Sequence, residues 1–242
     1  MMVGFSTGAL AYGDFGRALK LLEPTRANAV ELSALRCVEL PVLLNALPSL
    51  LEKLCKRYQY ISFHAPTDFD DEQGVVRELA NVAKLGLNIV VHPDTLRDLS
   101  LWRELGSRLC VENMDSRKPT GRTAEELGEF FVHLPDARLC FDIAHARQVD
   151  PTMTVAARIL SEFGAKIAQV HVSELNSKGK HFAMSYGAKR AYESFAARLS
   201  QVPIILESVV RETEISSEIS ETEKVFSYGV PDGSRGIVRE HN

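Results

Sequence analysis

Short apolar runs of strand length alternate eight times with longer segments of helical period along this chain. The strand candidates are 3–7, 29–33, 60–64, 87–92, 108–112, 138–142, 166–172 and 202–207. Helical patterns cover 15–23, 41–57, 70–85, 99–105, 123–134, part of 152–163, 189–199 and 217–228. Leucines at 43, 44, 47, 50, 51 and 54 give the second pattern its apolar face. Pro48 within it predicts a break or kink. Thr123, with Glu126 three residues on, predicts a capped helix start. A strand–helix unit repeated eight times in 242 residues, without a Ser/Pro-rich linker, fits a single-domain (β/α)8 TIM barrel. An open doubly wound sheet is the competitor. It would usually carry a glycine-rich phosphate loop after its first strand, and T-G-A-L-A-Y-G at 7–13 does not match G-x-G-x-x-G. The barrel is expected over 1–228, with 229–242, rich in Gly and charge, as a C-terminal tail.

Composition narrows the class. With 45% hydrophobic and 25% charged residues, the chain is neither disordered nor collagenous. No apolar run approaches the roughly 20 residues that span a bilayer, so no membrane partner is expected. The first residues lack the basic segment and apolar stretch of a signal peptide. Cys37, Cys55, Cys110 and Cys140 are scattered without C-x-x-C, which points to a reduced, cytoplasmic setting. A net charge of −4 does not advertise nucleic acid, though it leaves room for a local basic groove.

Six consecutive strand candidates end in an ionisable residue: His64, His92, Glu112, Asp142, His171 and Glu207. In a parallel barrel the C-terminal strand ends share one rim, so these side chains can converge. Burying so many without partners would be expensive, and buried charges are normally paired or metal-bound. Three imidazoles and three carboxylates match the ligands zinc and manganese take. Two arrangements are open. In the first, Glu112 bridges two divalent ions, His64 and His92 complete one, and Asp142, His171 and Glu207 complete the other. Such a pair suits in-line displacement at phosphorus. In the second, Glu112, Asp142, His171 and Glu207 hold a single ion, which would polarise a sugar carbonyl–hydroxyl pair while a carboxylate moves a proton.

The fragments F-H-A-P at 63–66, V-H-P at 91–93, V-E-N at 111–113, F-D-I-A-H-A at 141–146, V-H-V at 170–172 and L-E-S at 206–208 occur in a telling order. Together they resemble the xylose-isomerase-like barrel superfamily, and within it the endonuclease IV group, over about residues 60–207. G-K-H at 179–181, followed by Gly187, is similar to the family's D-x-H with a glycine six residues later. The resemblance implies a zinc-dependent phosphoester hydrolase in which a metal-activated hydroxide attacks phosphorus, with Glu112 and Glu207 at the chemistry. It implies a first zinc on His64, His92 and Glu112, and a second on Glu112, Asp142, His171 and Glu207. His145 and His181 would hold a third, but Gly179 stands where the family has Asp. Either water completes that ion or the two imidazoles bind substrate phosphate or hydroxyls. Thr67 follows H-A-P where the family commonly has an aromatic, and the chain is shorter than typical members. Both departures argue against abasic DNA as the substrate. The superfamily's sugar isomerases and epimerases keep equivalents of Glu112, Asp142, His171 and Glu207, often with a His like His145. They imply the alternative activity, with one Mn2+, Mg2+ or Co2+. They commonly lack the His64 and His92 pair, which favours the hydrolase. The expected partner is a small phosphorylated or sugar substrate, and less readily a nucleic acid.

Other residues carry two readings each. Glu31 ends the second strand and either contacts substrate or pairs with a neighbouring Arg or Lys. Lys178 and Lys180 either hold a phosphate or are solvated loop lysines. Asn113 and Asn176 either orient ligands or satisfy turn backbone. His133 reads as a C-terminal helix charge, Asp150-Pro151 as a turn, and the glutamates at 212, 214, 218, 221 and 223 as a solvated helix face.

Overall fold

Eight parallel strands close into a barrel in the computed structural model, which describes residues 1–228. They are β1 (Val3–Ser6), β2 (Ala29–Ser33), β3 (Tyr60–His64), β4 (Asn88–Val91), β5 (Leu109–Glu112), β6 (Arg138–Asp142), β7 (Ile167–Val172) and β8 (Ile204–Leu206). Each pairs with the next, and β8 closes on β1. Helices fill the connections, so one rim collects every C-terminal strand end. The expected tail, 229–242, lies outside the described residues.

The two-residue period of the strands sorts the side chains. Val30, Leu32, Phe63, Ile89, Val111, Phe141 and Leu206 join one large apolar core with helix residues such as Leu43, Leu79, Leu127 and Ile159. Each fully buried side chain of that kind contributes about 1.5–3 kcal/mol. The intervening positions form the barrel interior. They include a small separate apolar patch of Val90, Cys110, Cys140 and Ala168, together with buried Glu31, Ser62, Gln169 and His171. At Gly4 a Cβ would lie 1.6 Å from the Ala29 carbonyl oxygen, so the β1–β2 approach excludes any side chain there.

The helices differ from expectation in instructive places. The helix Leu40–Leu54 is continuous through Pro48. Pro48 is exposed, so the carbonyl it leaves without a donor can meet solvent, while buried Leu43, Leu47 and Leu54 hold both halves on the barrel. The pattern at 189–199 resolves into two helices, Tyr186–Glu193 and Ala196–Leu199. Thr123 caps its helix by accepting from Glu126 N, but the Glu126 carboxylate turns to Arg122 rather than closing a capping box.

The last helix, Ile215–Phe226, is not a solvated acidic face. Glu218 is buried, accepting from Ser208 Oγ at 2.8 Å and Met184 N at 3.3 Å. Glu212 pairs with Arg17, Glu221 with Lys189 and Glu223 with Arg26, which ties this segment back to the start of the chain and to the Tyr186–Glu193 helix. All four cysteines are free thiols, and no described helix is long and apolar enough to cross a membrane.

Candidate metal centre

The six strand-end residues and the two added imidazoles converge at the C-terminal rim. Asp142 and His171 are direct cross-strand partners on β6 and β7. Glu112 ends β5 between them and the two imidazoles of the β3 and β4 ends, His64 and His92. The helix Ile143–Val149, not foreseen from the sequence, places His145 one turn beyond Asp142. Asp142 itself caps that helix by accepting from His145 N at 2.7 Å. A hairpin of Glu174–Leu175 and His181–Phe182, also unforeseen, carries His181 over the mouth.

Glu112 faces two donor sets with its two oxygens. Oε2 lies 3.4 Å from both His64 Nε2 and His92 Nε2. Oε1 lies 3.4 Å from His171 Nδ1, which is also 3.4 Å from Glu207 Oε1. These spacings are long for hydrogen bonds, which cluster at about 2.7–3.2 Å. A tetrahedron whose centre lies about 2.0–2.1 Å from each corner, the usual zinc–nitrogen and zinc–oxygen reach, has edges of about 3.3–3.4 Å. Donor atoms of His64, His92 and Glu112 fall within 4.8 Å of one another, as do those of Glu112, Asp142, His171 and Glu207. Glu112 Oε2 and Asp142 Oδ2 are buried without a hydrogen-bond partner. Unpaired buried carboxylate oxygens are costly, and a cation among them removes the cost. The residues therefore fit divalent metal.

Two imidazoles, His64 and His171, are fixed from behind so that a bare nitrogen faces these carboxylates. His64 Nδ1 donates to the Ala65 carbonyl at 2.9 Å, leaving Nε2 toward Glu112. His145 differs: its Nδ1 donates to the Asn113 carbonyl at 2.8 Å and lies 3.3 Å from Glu112 Oε1, while its bare Nε2 faces Asp115 Oδ2 at 3.9 Å. His171 Nε2 lies 3.1 Å from Glu31 Oε2, and that carboxylate–imidazole pair aims Nδ1 at Glu112 and Glu207. Glu31 is thus fully buried behind His171, and its partners are His171, Ser62 and Gln169 rather than an Arg or Lys. Below it, Tyr60 donates to Gln169 Oε1 at 2.7 Å and Gln169 donates to Glu31 at 2.6 Å. Gln169 sits two residues before His171 on the same strand, so the period of two could have identified it.

Electrostatics follow from this crowding. Burial works to raise the Glu112 carboxyl, but His171, His145 and His64 outweigh it and hold it well below the usual carboxylate range. Glu207 is pushed up to about 7 by burial, reinforced by Glu112 and Asp142 against the pull of His171. His145 rises to about 10 because Asp142 and Glu112 overcome its burial. His181 falls to about 3 through burial and the neighbouring His145 charge.

The remaining candidates separate cleanly. Lys178 and Lys180 are exposed on the hairpin turn, where Asn176 Oδ1 accepts from both of their backbone nitrogens. Asn113 locks the β5 and β6 ends through paired 2.8 Å bonds with the Asp142 backbone, so both asparagines satisfy backbone. His133 lies in the last turn of its helix, and Asp150 accepts from Thr152 N and Val155 N as a turn residue. Two residues were not anticipated. Asp115 is buried with Oδ2 3.9 Å from His145 Nε2, and Arg117 binds it through Nε and Nη2. No local sequence signal shows that this loop meets residues 178–179.

No protein-family model and no curated protein matches this sequence. Solved structures do. An endonuclease IV from Thermus thermophilus superposes with a TM-score of 0.61 at 19% identity, covering 93% of this chain and 98% of that one. A xylose isomerase domain protein from Alicyclobacillus acidocaldarius subsp. acidocaldarius gives 0.65 at 14% identity, covering 94% and 99%. The 3-keto-D-glucoside 4-epimerase of E. coli gives 0.58 at 14% identity, covering 93% and 98%. In architecture, then, the chain is a (β/α)8 TIM barrel, and its fold is similar to that of these proteins.

Proposed function

We propose that this chain is a divalent-metal-dependent hydrolase of a phosphoester. The observation that carries the reading is the division of Glu112, one oxygen toward His64 and His92 and the other toward His171. A carboxylate shared in this way fits two neighbouring ions, most simply zinc given the imidazole-rich set. When bound, such a pair supplies the Lewis acidity that makes water a nucleophile near neutral pH and stabilises a departing oxygen. The chain's residues supply the rest. His64, Glu112, Asp142 and His171 are buried and fix the charges, whereas Glu207 and His181 reach the mouth. Glu207 is the carboxylate placed to take a proton from an incoming water or hydroxyl. Similarity of fold to an endonuclease IV supports the phosphoester reading. Thr67 is tied to the Leu35 carbonyl and offers no ring to a nucleic-acid stack, so a small phosphorylated substrate is favoured over duplex DNA.

A second reading has its own observation. Glu112, Asp142, His171 and Glu207 form a complete four-ligand group without the His64 and His92 pair, and the fold is shared with an epimerase. A single Mn2+, Mg2+ or Co2+ there, with Glu112 and Glu207 moving protons, would interconvert sugars. The two are separated by assaying the metal-loaded chain on phosphomonoesters, nucleotides and ketose–aldose pairs, alongside Glu207→Gln and metal-free protein. Phosphate release that needs both metal and Glu207 is expected. Sugar interconversion without phosphate release would overturn the hydrolase reading.

A further inference from the structure

Arg117 occupies an unusual place at the mouth of the barrel. It lies on the loop after β5, yet its guanidinium packs on Gly179 in the hairpin after β7. A Cβ at Gly179 would fall 1.8 Å from Arg117 Cζ, so only glycine leaves this space free. Gly179 also has φ +68°, a conformation glycine takes without strain. Two anchors hold the guanidinium. Nε and Nη2 donate to the two oxygens of Asp115 at 2.8 and 2.7 Å, and Nη1 donates to the Lys178 carbonyl at 2.9 Å. Asp115 is itself 1% exposed and lies 3.9 Å from His145 Nε2, so the cation is one carboxylate oxygen away from the candidate metal centre.

A guanidinium carries five N–H donors. Three are used, which leaves two donors without a partner on a side chain that remains 45% exposed. Charge balance agrees. Asp115, which belongs to neither candidate ligand group, is matched by Arg117, and the guanidinium pairs with none of the candidate ligands. The guanidinium is therefore not needed to neutralise the ligands, and its free edge is available to an incoming anion. Planar, preorganised donors of this kind suit phosphate oxygens.

We propose that Arg117, clamped by Asp115 and seated on Gly179, is the anion-binding group that receives the phosphoryl oxygens of the substrate beside the metal centre. This rests on the phosphoester reading and names the group that selects for it. The positioning pair is as important as the arginine itself. An alanine at 179 would displace the guanidinium while leaving its charge in the chain.

Calorimetric titration of inorganic phosphate into the metal-loaded protein tests this, with bound metal counted by elemental mass spectrometry in each sample. Arg117→Gln is expected to weaken phosphate binding on the order of 10- to 100-fold, as loss of charged hydrogen bonds does, with unchanged metal content. Gly179→Ala should weaken it similarly, and Arg117→Lys should restore only part of it. Wild-type phosphate affinity in Arg117→Gln, or a wild type that holds metal but binds no phosphate, would overturn the assignment. A change in metal count in Arg117→Gln would also overturn it, by making Arg117 part of the metal charge balance. Arg117-dependent phosphate binding without turnover of any phosphoester would sustain the assignment and instead refute the hydrolase reading.

Discussion

The barrel interior holds two polar layers built from similar residues, and they are satisfied differently. In the lower layer Asn88, Tyr60, Gln169 and Glu31 Oε2 form a chain of direct hydrogen bonds of 3.1, 2.7 and 2.6 Å, although Glu31 Oε1 is buried without a partner. In the upper layer Glu112 meets His64, His92 and His171 at 3.4 Å, and Glu112 Oε2 and Asp142 Oδ2 have no hydrogen-bond partner. Burial and strand geometry are common to both. The contrast teaches that polarity inside a barrel is not by itself a site. What marks the upper layer is donor spacing that suits a cation between the atoms rather than a proton.

The largest effect should come from emptying the upper layer. Occupancy at about 1,000 times Kd stabilises by about 4 kcal/mol per ion, and each kcal/mol is worth about 2–4 °C in a chain of this size. Chelation should therefore lower Tm on the order of 15–30 °C, recovered on adding zinc, as differential scanning calorimetry would show. Glu31 links the layers. Glu31→Gln should weaken metal binding about 10- to 100-fold through loss of orientation at His171, measured by competition with a chelating dye. Unchanged affinity would remove Glu31 from the account.

Tyr60→Phe belongs to the lower layer alone. It should cost about 1–3 kcal/mol in chemical denaturation, because Gln169 and Asn88 lose a buried partner, yet leave metal affinity unchanged. A matching loss of metal affinity would merge the two layers. The smallest effect is in pH. In metal-free protein Glu207 and His145 have raised pKa values, about 7 and about 10. Each binds its proton more tightly folded than unfolded, so the stability they give falls as pH rises. His181, lowered to about 3, has finished its contribution by its ordinary value of 6.5. Glu207 gives up its share between its ordinary 4.5 and about 7, and His145 between 6.5 and about 10. The decline of metal-free Tm between pH 7 and 10 should therefore come from His145, and the metal-loaded protein should show less of this slope because the ions replace the protons.

The upper layer is legible in the sequence and the lower one is not, for physical reasons. Strand ends are marked by the switch from apolar run to ionisable residue, so His64, Glu112 and Asp142 stand out. Gln169 and Tyr60 lie within strands, where a polar residue looks like a solvent-facing alternate until the barrel closes. Glu31 is visible at its strand end, but a neighbouring imidazole as its partner requires knowing that β2 and β7 face each other across the interior. Pro48 does not break its helix, because propensity is local while Leu43, Leu47 and Leu54 hold both halves on the core. The Asp115–Arg117–Gly179 contact joins loops 61 residues apart at its Lys178 hydrogen bond, a separation no local pattern encodes.

Metal content per chain, by elemental mass spectrometry on wild type and Glu112→Ala after metal loading and desalting, is the most direct test of the upper layer. The shared carboxylate predicts about two divalent ions in the wild type and loss of both in the variant, since each ion depends on one Glu112 oxygen. A wild type that retains no ion, or a variant that retains as many as the wild type, would contradict a metal centre built around Glu112.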